Sequence, residues 1–101
     1  MVEFKFRKYD TDFGTREMGA KLREEIKLLM KGTDRVVLDF TDVNVVTNSF
    51  ADECIAKLLL DMSLQELKER TTFRGLNPVA YKSVLVALQR RYHVMKEEEK
   101  E

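Results

Sequence analysis

The 101 residues, 44% of them hydrophobic, are enough for one domain with a modest core and no need of disulfides or metal. Eighteen basic residues balance 18 acidic ones, and each half of the chain is balanced too, which removes the electrostatic footprint of a nucleic-acid or anionic-membrane binder. A single cysteine excludes an internal disulfide and suits a reducing compartment; with no apolar leader region and no run near the ~18 apolar residues of a membrane span, the expected location is the cytoplasm.

The opening segment VEFKFRKY alternates, with Val2, Phe4 and Phe6 on one face and Glu3, Lys5 and Arg7 on the other. This pattern predicts a half-exposed strand near a sheet edge. A loop, DTDFGT, follows and ends in a capping residue, Thr15. From about Arg16 to Lys31 the apolar residues Met18, Leu22, Ile26 and Leu29 keep helical spacing, Lys27 and Lys31 favour the C-terminal dipole, and Gly32 supplies the stop.

The run RVVLDF, rich in β-branched residues, predicts a central strand buried on both faces. A helix from about Phe50 to Asp61 is apolar almost all round, through Ala51, Cys54, Ile55, Ala56, Leu58, Leu59 and Leu60. Such a helix is either deeply buried or keeps a face for a partner; the expectation is that at least one of Phe50, Ile55 and Leu59 is partly exposed in an isolated monomer or covered by another copy. Ser63 to Glu66 is a capping box, RTTFRGL a third strand, and Asn77-Pro78 the cap and first residue of a last helix with the stripe Tyr81, Leu85, Leu88, Tyr92. One domain over residues 1–94 and a charged, frayed tail over 95–101 complete the chain.

The order strand, helix, strand, helix, strand, helix predicts an α/β fold, a small mostly parallel or mixed sheet of about four strands with helices packed on it. The four glycines form no phosphate-cradling loop or dinucleotide fingerprint. His93 is the only histidine and reads as a surface residue; Cys54, among apolar neighbours, reads as a core residue and not a nucleophile. No catalytic set, cofactor or metal is therefore expected.

Two polar groups remain. Asp39 and Asp42 stand at the carboxyl end of the central strand, where open α/β sheets gather ligands, and could hold magnesium or a nucleotide; in the plainer reading Asp42 bonds its own backbone in a turn. Thr47, Asn48 and Ser49 precede the apolar helix. Ser49 with Asp52 makes a capping box, and Asp52 and Glu53 in the first turn favour the dipole. A serine at that mouth is also well placed for phosphorylation, and the two acids would then repel the phosphate and make it a disruptor of binding.

The segment VVLDFTDVNVVTNSFADECIAKLL resembles the central segment of STAS domains, the fold of bacterial anti-sigma-factor antagonists. With FGTRE at Phe13 to Glu17 and TTFRGLNPVAYKSV near the end, the chain is similar over most of its length to the STAS-like domain family of unknown function. In the antagonists a serine after this strand is phosphorylated by a partner ATPase of the histidine-kinase-like type. The resemblance puts Ser49 on that serine, Asn48 and Thr47 on the two positions before it, and Phe50 and Ala51 where a glycine and a leucine stand. It implies a non-enzymatic regulatory domain whose docking surface is Thr47, Asn48, Ser49, Phe50, Asp52 and Glu53, with Ser49 as phosphoacceptor and such an ATPase as partner. The alternatives are a ligand- or magnesium-binding domain using Asp39 and Asp42, or a homo-oligomer, such as a homodimer, that buries the apolar helix against its own copy.

Overall fold

Strand β3 (Val36–Asp39) is buried on both faces, as its Val-Val-Leu run requires, and lies between β1 (Val2–Lys5) and β5 (Thr71–Arg74) in a three-stranded sheet. Both pairings are parallel, with Val2 to Lys5 opposite Val36 to Asp39 and the latter opposite Thr71 to Arg74. The computed structural model describes residues 2–99. A separate parallel pair joins β2 (Asp12–Phe13) to β4 (Val45–Val46), so the described chain has five strands in two sheets where about four in one sheet were expected. Two-residue strands are too short to carry a period of two and leave no trace in the sequence pattern.

The first strand is shorter than its alternation predicts. It stops at Lys5, and Phe6 enters a 3-10 turn over Phe6–Lys8. The Phe6 ring is fully buried, stacked on Phe40 at 3.9 Å between centroids and edge-on to Phe13 and Phe50. Packing into that aromatic cluster outweighs continuation of the ladder at a sheet edge.

Helix α1 (Arg16–Met30) starts where expected, with the Thr15 hydroxyl accepting from the Met18 amide at 3.2 Å. Its buried face is Gly19, Leu22, Ile26 and Met30, with Met18 and Leu29 at the margins. Gly19 is a contact point: a Cβ there would lie 2.9 Å from the Glu53 Cβ, so only glycine lets α1 approach the next helix this closely.

The apolar segment after β4 is not one helix from Phe50 to Asp61. Helix α2 (Asn48–Cys54) begins two residues earlier and gives way to a 3-10 segment over Ala56–Leu60. Phe50, Ile55 and Leu59, one of which was expected to stay exposed, are 0%, 0% and 4% accessible. Only Leu60 of the segment's large apolar side chains faces solvent. The chain covers the segment itself, with α1 on one side and the last helix on the other, and this removes the motive for self-association through it.

Helix α3 (Leu64–Arg70) is capped by Ser63, whose hydroxyl accepts from the Glu66 amide at 3.0 Å, and leads directly into β5. Helix α4 (Pro78–Glu99) starts behind Asn77, whose side chain accepts from the Ala80 amide and donates to the Val43 and Asn44 carbonyls. Its core-facing side is Ala80, Ser83, Val84 and Ala87, small residues that allow close packing on α2; Tyr81, Leu85 and Tyr92 of the expected stripe are exposed. The tail expected from residue 95 is still helix through Glu99, with Met95 packed at the margin of the core; residues 100 and 101 lie outside the described residues. Among the described residues no helix is long and apolar enough to cross a membrane.

Candidate functional site

The short β2–β4 pair brings two distant turns together. The Thr47 amide donates to the Phe13 carbonyl at 3.0 Å and the Thr47 hydroxyl to the Gly14 carbonyl at 3.2 Å. The start of α1 thereby lies beside the start of α2, and Gly19 holds the two helices together one turn further on. Helix α4 packs across α2 from the other side. Where the three meet is a cleft of about 300 Å³, lined by Arg16, Asn48, Ser49, Asp52, Arg90 and Arg91.

Thr47, not Ser49, is the cap of α2. Its backbone is extended and its hydroxyl accepts from the Phe50 amide at 3.1 Å. Ser49 is the second residue of the helix and is exposed. The capping box read from Ser49 and Asp52 is thus out of register by two residues: Asp52 and Glu53 fall in the second turn, too far from the N-terminus for the dipole to matter. The phase of the cap was set by the Phe13–Thr47 bridge, a contact across 34 residues that a local motif cannot report. Thr47→Ala is expected to cost about 0.5–2 kcal/mol in a urea titration, and Ser49→Ala less than about 0.5 kcal/mol. Equal losses for the two would put the cap back on Ser49.

The two acids are ion-paired. Asp52 takes a forked contact from Arg91, Nη2 at 2.7 Å and Nε at 3.1 Å, and a third from Arg16 Nη1 at 2.8 Å. Burial pushes its carboxyl up, but the Arg91 and Arg16 guanidinium groups outweigh that and hold it below the usual carboxylate range. Glu53 is buried and meets Arg23 at 2.8 Å, Lys57 at 2.9 Å and Arg16 at 3.3 Å; its backbone carbonyl also accepts from Arg23. The Arg23 contact above all, against the opposing effect of burial, brings its pKa down from 4.5 to about 2. Neither acid is free to repel a new anion at Ser49, contrary to the expectation from sequence.

The six docking residues named from sequence therefore divide. Asn48 and Ser49 are exposed on the cleft, Thr47 and Asp52 are half-buried beside it, and Phe50 and Glu53 are buried and present no surface to a partner. Phe50 turns into the aromatic cluster, 4.9 Å from Phe13. The arginines were missed. Arg16, Arg90 and Arg91 are 75 residues apart at the extremes and no spacing links them; the only hint was an Arg-Arg pair on a helix already read as amphipathic.

Asp39 and Asp42 both serve the turn that follows β3. Asp39 Oδ1 accepts from the Thr41 amide at 2.9 Å and the Thr41 hydroxyl at 2.6 Å, and these two bonds, with Arg74 at 4.0 Å, hold its carboxyl below the usual range. Turn chemistry was expected of Asp42 but is carried by Asp39; Asp42 supplies the left-handed backbone, φ 65°. The turn is locked from outside by Gly75, φ 74°, where a Cβ would come within 2.6 Å of the Thr41 amide nitrogen. Among the described residues no group of three or more His, Cys, Asp or Glu gathers as metal ligands. Cys54 is buried, and burial pushes its thiol pKa far up, as befits a core residue. His93 is exposed and packs edge-on to Tyr92.

A protein-family model described as a STAS-like domain of unknown function matches residues 18–80, which contain α2, the central strand and most of α1. Neither a search of curated proteins nor one of solved structures finds a significant match. The matched span ends before Arg90 and Arg91, and begins after Arg16, so the cleft joins the family segment to flanking residues on both sides.

Proposed function

This chain belongs to the STAS-like domain family of unknown function, and from that premise we propose that it is a non-enzymatic regulatory domain of the cytoplasm that docks a protein partner on the cleft at the start of α2. Ser49 is the residue that such a partner modifies. What supports this reading is that Ser49 stands exposed at a cleft whose walls carry three arginines, while the apolar side chains of α2 are taken up by the core. Docking here is polar and electrostatic; it does not use an apolar helix face. A partner that brings phosphate and acidic groups fits such a wall, and a nucleotide-bearing ATPase domain of the histidine-kinase-like type, the partner implied by the family resemblance, has that chemistry.

The experiment pairs the chain with an ATPase domain of this type and ATP, and reads phosphate incorporation by mass spectrometry and affinity by titration. One phosphate is expected on the parent and none on Ser49→Ala. Ser49→Glu is expected to keep its fold and to weaken the complex at least about tenfold, because its carboxylate engages the cleft arginines and withdraws them from the acidic and phosphate groups of the partner. An unmodified Ser49 together with parent-like affinity of Ser49→Glu would exclude the switch.

A further inference from the structure

We propose that the arginine-lined cleft is a binding site for a phosphate monoester, in which Arg90 is the main anchor and Arg16 and Arg91 complete the cradle. The proposal uses the cleft identified above but does not require Ser49 to be modified. Three guanidinium groups line the cleft with one carboxylate, Asp52, and the buried Glu53 that Arg16 also touches is shared with Arg23 and Lys57, so the cleft carries a surplus of positive charge although the whole chain is neutral. Arg90 is exposed and, among the described residues, pairs with no carboxylate or carbonyl. Arg91 reaches Asp52 through Nε and Nη2, which leaves Nη1 without an acceptor; Arg16 uses only Nη1, which leaves Nε and Nη2. A guanidinium has five N–H donors in a flat fork that matches phosphate oxygens two at a time.

Asp52 has a role in this arrangement. Its oxygens grip Arg16 from α1 and Arg91 from α4, and so hold the two guanidinium groups on opposite walls of the same cleft before any anion arrives. Asn48 and Ser49 line the same cleft and add neutral polar groups to it. A cleft of about 300 Å³ admits a phosphoryl group with a small substituent. The phosphate can come from a bound ligand or from Ser49 itself. In the second case modification would be held by the chain's own arginines and withdraw them from a partner, so that phosphorylation would tie α1, α2 and α4 together instead of loosening them.

The test uses phenyl phosphate as the probe, with sodium chloride at matched ionic strength as the control. Titration calorimetry and melting curves are recorded on the intact chain, on Arg90→Glu and on Arg90→Gln. Saturable binding with a rise in Tm is expected for the parent. Both variants should bind at least about tenfold more weakly, since a hydrogen bond between charged groups contributes more than one factor of ten. Phosphate also stabilises proteins generally by exclusion from their surface; an equal, non-saturating rise in all three proteins would overturn the proposal, as would no binding by the parent. The source is read from a chain carrying phosphoserine at position 49. Loss of phenyl phosphate binding there, with a Tm gain that Arg90→Glu abolishes, assigns the cradle to the chain's own phosphoserine. Undiminished binding assigns it to an external phosphate. Failure of an ATPase partner to modify Ser49 would leave the phenyl phosphate result standing, so the two readings fail separately.

Discussion

Phe50→Ala is expected to lower stability by about 3–5 kcal/mol, the loss typical of a fully buried aromatic ring. The ring is inaccessible and packs against Phe13 at 4.9 Å and Phe6 at 6.4 Å, at the point where α2, β2 and the 3-10 turn after β1 meet. Removing it deletes apolar burial and leaves a cavity that three separate elements would have to collapse to fill. In a urea titration the midpoint should drop while the slope stays constant. For a domain of this size the Tm should fall by more than about 10 °C. Phe50→Leu should recover most of the loss. The outcome also separates core from surface: a residue kept for docking would leave stability within about 0.5 kcal/mol when truncated, and that result would reinstate Phe50 as part of an interface.

Glu53→Ala is expected to cost about 3 kcal/mol at neutral pH, because it both strips Arg23 and Lys57 of a partner and truncates a buried side chain packed between α1 and α2. The carboxylate bridges α1 to α2 and to the following 3-10 segment, through Arg23 and Lys57 respectively, with Arg16 at the cleft as a third contact. Its pKa, down from 4.5 to about 2, fixes the pH dependence. A carboxyl whose pKa is depressed on folding adds stability above its unfolded pKa and loses it as the pH falls through the folded one. The contribution should therefore be complete above about pH 5 and fade between about pH 4.5 and 2. The linkage limit is about 3 kcal/mol, reduced to about 1–2 kcal/mol by solvent screening, since Arg16 and Lys57 are partly exposed. Parallel urea titrations of the parent and Glu53→Gln over this range should show the gap between them closing toward low pH. A constant gap would mean that Glu53 acts by packing alone.

Local order in the chain was legible wherever the sequence carries its own period or its own cap. The Val-Val-Leu run could only be a central strand, because a strand flanked on both sides buries both faces and tolerates no alternation. Thr15, Ser63 and Asn77 cap their helices as read, since each bond closes within three residues. The burial of Cys54 and the exposure of His93 also follow from neighbours on the same helix. What failed were the features fixed by contacts between elements. The cap of α2 moved from Ser49 to Thr47 because Thr47 is tied to Phe13 and Gly14. The apolar face of the next segment was covered by α1 and α4, whose small residues Gly19, Ala80 and Ala87 allow an approach that periodicity does not encode. The same close packing turned Asp52 and Glu53 from free charges into ion pairs, and it gathered Arg16, Arg90 and Arg91 around Ser49. Charge at a cleft depends on which side chains meet across space, and in a chain of zero net charge only the tertiary structure decides where the surplus lies.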